Sequence, residues 1–364
     1  MHELGGLDRQ VAHLLAGAPG PDRSAAAAVA ERARRVLRPA GALARLDELA
    51  AWLAAWQGTR HPAVRRPAAV VFAADHGVAA GGVSAYPAEV TAAMLKALRE
   101  GVATASVLAR QVGATLDVVD VGVGEPTGDL AREDALDPAR FRACVQAGRD
   151  AVAGLQADLL VLGEMGIGNT TAAAAVTAIL LGRPAEAATG RGTGVDDAAL
   201  ARKLAAVEAA RRRVGGGPGG LKPSPPVGRG PGGLKPSPPV GRGPGGPLEV
   251  LRQAGGAELA ALAGAALEAR RRRLPLVLDG FVVTAAVAPL EVLHPGALAN
   301  AVAGHRSAEP GHTALLERLG LEPLLDLGMR LGEASGALAA VPLLRLAAAA
   351  VTEVATFDEW GLER

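Results

Sequence analysis

Five apolar runs in this chain end at an acidic or glycine-bearing turn and lead on towards helix. Asp75-His76-Gly77 follows the run 68–74, and Asp120-Val121-Gly122 lies within 116–123. Gly163-Glu164 follows 159–162, Asp279-Gly280 follows 274–278, and Asp326-Leu327-Gly328 follows Leu324 and Leu325. A short apolar run that breaks at a turn residue reads as a buried strand. One acidic strand exit is an ordinary turn. Five of them, with helical stretches between, imply an open parallel sheet whose strand exits line one edge. Ligands bind at that edge in such folds, so the pattern predicts one polar cleft that serves a small molecule.

Composition supports this reading and removes others. The 364 residues suffice for one large α/β unit with an appended lobe, or for two domains. Nearly half are hydrophobic, but alanine dominates and aromatics make up 2%, which favours helices packed closely through small side chains. Thirty-eight Lys and Arg against 37 Asp and Glu give a formal charge of +1, so no global attraction to nucleic acid or to a membrane surface is expected. The single cysteine, Cys144, excludes an internal disulfide framework and a cysteine-rich zinc site, and fits a reducing cytosol. No basic segment followed by an apolar core opens the chain, so no secretory signal is expected. The longest uncharged stretch, 165–182, contains Asn169, three threonines and three glycines, which is no membrane span. A cytoplasmic protein is expected.

Along the chain, residues 24–58 carry apolar residues at helical spacing with a break at Pro39 and Gly41, and read as a packing lobe or dimer contact. Helical material is expected near 138–156 and from 172 to 181. Thr193, with Asp196 and Asp197 three and four residues on, reads as the cap of a helix that carries Arg202 and Lys203. A further helix is expected over 248–270, and 304–312 reads as a polar loop. Asp75 and His76 fit acid–base or metal groups, and equally fit turn residues. His305 and His312 lack the carboxylate or thiol spacing of a metal cage, so no metal is expected. Residues 215–247 differ from the rest: GGLKPSPPVGRGP occurs at 219–231 and again at 232–244. Such a segment cannot bury apolar surface and reads as a disordered or polyproline-like insert expanded by duplication.

The stretch Gly163-Glu164-Met165-Gly166-Ile167-Gly168-Asn169-Thr170-Thr171 links a strand to a helix start. Its backbone N–H groups face outward at the positive end of the helix, which makes an anion site. Gly163 and Gly168 with Thr170 imitate a nucleotide-binding P-loop, but Asn169 stands where that loop has its lysine. The turn therefore suits a monophosphate. Arg191 and Lys203 are cations near a glycine turn and are candidates to meet it.

Taken together, GEMGIGNTT (163–171), TGRGTGVDD (189–197), ADHGVAAGGVSAYP (74–87), LDGFVVTAA (278–286), GHRSAEPGH (304–312) and LLDLGMRLGEASGA (324–337) resemble the nicotinate-nucleotide–dimethylbenzimidazole phosphoribosyltransferase family. Arg38 to Leu43, followed by Leu46 to Trp52, is similar to that family's opening. The resemblance implies an α/β fold with a parallel sheet flanked by helices, Rossmann-like in three layers, plus a smaller helical lobe. It places residues 1–60 and part of the C-terminus in the lobe, 61–214 and 248–340 in the α/β core, and implies a homodimer. The implied reaction moves the ribose 5-phosphate of nicotinate mononucleotide onto 5,6-dimethylbenzimidazole, for the nucleotide loop of cobalamin, with no cofactor and no metal.

Carried over residue by residue, the resemblance makes Glu333 the general base and Glu164 a second carboxylate near the reacting ribose. Lys203 is assigned to phosphate or transition-state charge. Gly166, Gly168, Asn169, Thr170, Arg191 and Gly192, with the Asp279-Gly280 turn, are assigned to the phosphate and nucleotide. Ser84, Tyr86, Met329 and Leu331 are assigned to the acceptor base. One departure stands out: Ala93 occupies a position where the family usually has glutamine. It leaves open another acceptor (adenine, another benzimidazole or a phenol), and a catalytically silent nucleotide-binding relative is the remaining alternative.

Overall fold

The computed structural model describes residues 4–215 and 245–363, so the whole tandem repeat, 219–244, lies outside the described residues. The core is a six-stranded parallel sheet in the order β2-β1-β3-β4-β5-β6. The strands are β1 (Pro67–Ala73), β2 (Thr115–Asp120), β3 (Leu159–Met165), β4 (Leu276–Leu278), β5 (Ala301–His305) and β6 (Pro323–Leu325). The expected strands at 68–74, 116–123, 159–162 and 274–278 are β1 to β4, and the run before Asp326 is β6. β5 corrects the reading of 304–312 as loop throughout, because Gly304 and His305 close a strand. Its sequence, AVAGH, has too little aliphatic bulk to stand out in an alanine-rich chain.

Residue alternation along the strands separates two cores. Val70, Phe72, Leu160, Leu162, Leu276 and Leu278 face one layer, which includes the helices Pro138–Ala153, Asn169–Leu181, Ala257–Arg271 and Phe281–Leu293. Ala69, Val71, Leu159, Val161 and Val277 face the other, with the helices Arg45–Gln57, Thr104–Gln111 and Ser335–Thr352. All seven residues of β1 are buried, as a parallel strand covered on both faces must be. β2 is the edge and shows partial exposure throughout.

The alanine-rich composition has a direct structural use. Helices Pro138–Ala153 and Ala257–Arg271 cross so closely that a Cβ on Gly148 would lie 1.8 Å from the Ala261 carbonyl oxygen, and one on Gly264 would lie 2.0 Å from that of Val145. Only hydrogen-sized side chains permit that crossing. The helix expected over 248–270 is two helices, Pro247–Ala254 and Ala257–Arg271, parted at Gly255 and Gly256. Residues 24–58 form Arg23–Arg35 and Arg45–Gln57, and Ala25, Val29, Ala33, Ala50 and Ala54 pack around Val351 of the last long helix. That helix, Ser335–Thr352, is apolar and long enough to cross a membrane, but 56% of it is buried inside the protein, where it serves as a core element.

The strand order reverses direction between β1 and β3, since the chain runs from β1 outward to β2 and then returns beyond β1. Exits at such a reversal splay apart and leave a crevice. The Asp75-His76-Gly77 and Gly163–Thr171 turns flank it.

Candidate active site

β3 delivers Glu164 at its end, and Gly168, at φ +97°, turns the chain into the helix Asn169–Leu181. Three amides of this turn are engaged internally: Ile167 N–H donates to Thr91 Oγ1 at 3.2 Å, Asn169 N–H to Gly166 O at 3.2 Å, and Thr171 N–H to Gly168 O at 2.9 Å. The intervening Gly168 and Thr170 amides donate to no acceptor among the described residues. A cavity of about 50 Å³ lies against them, walled also by Gly166, Ser84, Arg191, Gly192 and Lys203. It holds little more than a phosphate-sized group.

Lys203 comes into this cavity from the helix Asp197–Gly215. It is 1% exposed, and its Nζ donates to Thr170 Oγ1 at 3.0 Å. Burial lowers its pKa, and the nearby Glu309 carboxylate opposes that shift. The cation that the turn lacks at position 169 thus arrives from a different element. Asp196 caps this helix by accepting the Ala199 N–H at 2.7 Å, which corrects the reading of Thr193 as the cap. A side chain four residues ahead of the first helical residue stands too far back to reach the free amides of the first turn.

The other expected phosphate residues divide. Asn169 lines the cavity, but its side-chain amide donates to Glu164 Oε2, so it orients that carboxylate. Arg191 turns its guanidinium to the Val195 carbonyl at 2.9 Å and to Asp197, and that ion pair is exposed. The Gly192 N–H donates to Glu309 Oε1 at 2.7 Å. Asp279 and Gly280 do not line this cavity. Asp279 is fully buried and accepts the Ala337 N–H at 2.9 Å, beneath the turn that carries Glu333.

That turn is held against β3. The Glu333 N–H donates to the Glu164 carbonyl at 3.2 Å, which fixes the two catalytic candidates side by side through the backbone. Gly163 makes the approach possible, since a Cβ there would lie 2.4 Å from the Ala334 nitrogen. Glu333 and Ala334 both take left-handed backbone angles, φ +59° and +68°. Side chains rarely adopt this conformation, and strain of this kind concentrates at functional turns. Glu333 is buried, and its Oε2 has no hydrogen-bond partner among the described residues.

The electrostatics follow from this crowding. Burial pushes the Glu164 carboxyl well above its usual range, the Asp279, Glu258 and Glu333 charges add to the shift, and the Asn169 amide opposes it. Burial lifts Asp279 to about 7, despite stabilising N–H groups from Ala337, Gly336 and Ala334. Burial also raises Glu333, opposed by the amide of Ala105. All three carboxyls are thus held above their ordinary range, and perturbed carboxyls of this kind cluster at functional sites.

Sequence reasoning left several members of the site without a role. His76 Nε2 and Glu258 Oε1 lie 2.6 Å apart, both fully buried, directly under Gly166. The pair gives His76 a buried partner beneath the phosphate turn. Glu258 sits in an alanine-rich helix start with no local signal, so nothing short of the fold could pair it. His305 lies 3.6 Å from Asp279. His312 accepts the Ser307 N–H at 2.9 Å and meets Thr284 Oγ1 at 3.1 Å, and its burial holds its pKa down to about 3.

The residues expected around the acceptor base are less enclosed. Ser84 lines the phosphate cavity, and its Oγ accepts the Tyr86 N–H at 3.2 Å. Tyr86 and Leu331 are 53% and 46% exposed, and Met329 is half-buried.

A family model described as "Phosphoribosyltransferase" matches residues 18–225 and 237–362. A nicotinate-nucleotide–dimethylbenzimidazole phosphoribosyltransferase from Mesorhizobium japonicum is 48% identical over 344 residues, 94% of each chain. One of the same name from Methylorubrum extorquens is 44% identical over 363 residues, 100% of this chain and 98% of its own. A solved structure of the Thermus thermophilus protein of that name superposes with a TM-score of 0.81 at 41% identity, covering 94% of this chain and 99% of its own. The ordered motifs, the sheet and these similarities lead to one conclusion: this chain belongs to the nicotinate-nucleotide–dimethylbenzimidazole phosphoribosyltransferase family.

Proposed function

We propose that this protein transfers the 5-phosphoribosyl group of nicotinate mononucleotide to 5,6-dimethylbenzimidazole, giving α-ribazole 5′-phosphate and nicotinate. The observation that carries the reading is the joining of a phosphate-sized cavity, held by Lys203 and Thr170, to the backbone-linked carboxylates Glu164 and Glu333. A cation and free amides suit the 5-phosphate, and the carboxylates suit a reacting ribose beside it.

The chemistry asks little more of the protein. The C1′–N bond to nicotinate breaks with its electrons moving to the ring nitrogen, which leaves neutral and needs no acid. The new bond forms between C1′ and an imidazole nitrogen of the acceptor, on the opposite face, which converts a β-nucleotide into an α-product. The acceptor's other nitrogen then carries a proton to be removed, and Glu333 is assigned to take it. Its unpartnered Oε2 leaves an acceptor for that proton, and burial raises its pKa, which strengthens it as a base. Glu164 is assigned to stabilise positive charge on the ribose. A cationic pyridinium beside it favours its ionised form, opposing the burial that raises its pKa.

A second reading changes the acceptor alone. Ala93 is exposed, and Tyr86 and Leu331 stand unpacked, so these walls impose little on the incoming base. The same exposed apolar side chains, with Leu327 67% exposed, support a homodimer in which another surface covers the mouth of the site. The lone, buried Cys144 supports a cytoplasmic setting. The deciding assay offers nicotinate mononucleotide with dimethylbenzimidazole, adenine or a phenol in competition. The benzimidazole product is expected to dominate. Nicotinate release that needs no acceptor, or no release with any of the three, contradicts the proposal.

A further inference from the structure

We propose that the chain carries a second anion site at the amino-terminal edge of the sheet, for a small organic phosphate or polyphosphate bearing several negative charges. The place is a cleft of about 640 Å³ walled by the segments that enter β1, β3 and β4. It lies a full strand length from Glu164, roughly 20 Å at about 3.3 Å per residue, and is separate from the phosphate turn. Its volume is that of a metabolite site.

The walls present Arg65, Arg66, Arg272, Arg273 and His61 against a single acid, Asp158. Asp158 does not neutralise these side chains, because its carboxylate accepts the backbone N–H groups of Arg65 and Arg66 at 2.8 to 3.0 Å. Asp22 is within electrostatic range of Arg273, but its carboxylate caps a helix by accepting the Ser24 and Ala25 N–H groups. Arg272 donates to the carbonyls of Val152 and Leu155, and Arg273 to that of Ala55 at 2.8 Å. Among the described residues neither makes an ion pair with a carboxylate, and each keeps unused donors of its five. The Arg273 Nε is buried with no acceptor.

Like charges gathered in one cleft repel, and a buried donor without an acceptor is destabilising. Arg273 also holds a left-handed φ of +56°, which a non-glycine residue rarely adopts. A multiply charged phosphate offsets the repulsion, and the planar fork of arginine matches its oxygens in pairs. Arg65 and Arg66 are exposed and their side chains bond to nothing among the described residues, so they are free to close over such a ligand.

Calorimetric titration of the full chain with sodium tripolyphosphate tests the site. The double variant R65Q/R66Q should fold with an unchanged melting temperature and bind tripolyphosphate at least about tenfold more weakly than the wild type. Lys203→Met, on the opposite edge, should leave that binding intact. Equal affinity in wild type and R65Q/R66Q, no binding to the wild type, or loss of binding in Lys203→Met instead would each overturn the proposal.

Discussion

Lys203 Nζ lies 3.0 Å from Thr170 Oγ1, so a lysine from one helix completes a phosphate turn built at the start of another. Asn169, in the place where a P-loop carries its own lysine, is thereby released to hold Glu164. A charged hydrogen bond to phosphate contributes about 1.5–3 kcal/mol. Lys203→Met keeps the buried stem and removes the charge. Steady-state kinetics should show the KM for nicotinate mononucleotide raised about ten- to a hundredfold, with the acceptor KM nearly unchanged.

The Asn169 amide is the one group that lowers the Glu164 pKa against four influences that raise it. Asn169→Ala removes that support, so Glu164 titrates at still higher pH. The acidic limb of the kcat profile should move upward relative to the wild type. An unmoved limb assigns that limb to another group.

Gly163 is the point at which the Glu333 turn rests on β3. In Gly163→Ala the new Cβ would meet the Ala334 nitrogen at 2.4 Å and its Cβ at 2.6 Å, so the turn must shift. A shift of this kind costs about 1–3 kcal/mol of stability. Because the phosphate cavity is built from other residues, kcat should fall far more than nucleotide binding, measured together by kinetics and titration.

Asp279 links the site to stability. Its folded pKa of about 7 stands above its ordinary 3.8, so between those values the folded chain holds a proton that the unfolded chain has released. Stability therefore falls as pH rises through that window. Asp279→Asn cannot titrate and should flatten the decline in melting temperature between about pH 5 and pH 7. An identical slope in both proteins contradicts the buried protonated carboxyl.

The sequence made the sheet legible because buried parallel strands are runs of aliphatic residues broken by turn chemistry. It hid β5, whose residues are too small to announce a strand, and it placed Asp279 with the phosphate when the fold puts it under Glu333. The motifs made Glu164, Lys203 and Glu333 visible as members of a family pattern. They did not show why Glu164 and Glu333 sit together, because that depends on a backbone bond between distant parts of the chain and on the absence of a side chain at Gly163. The His76–Glu258 pair was likewise out of reach: its partners are 182 residues apart, and only His76 lies in one of the quoted motifs.

The most direct test is nicotinate release from nicotinate mononucleotide, followed with and without 5,6-dimethylbenzimidazole, in the wild type and in Glu333→Gln. Acceptor-dependent release is predicted for the wild type. In the variant, turnover should be lower by a factor of about a hundred or more, the contribution expected of a positioned base, with nucleotide binding preserved. Undiminished turnover in Glu333→Gln would contradict the assignment of Glu333 as the base.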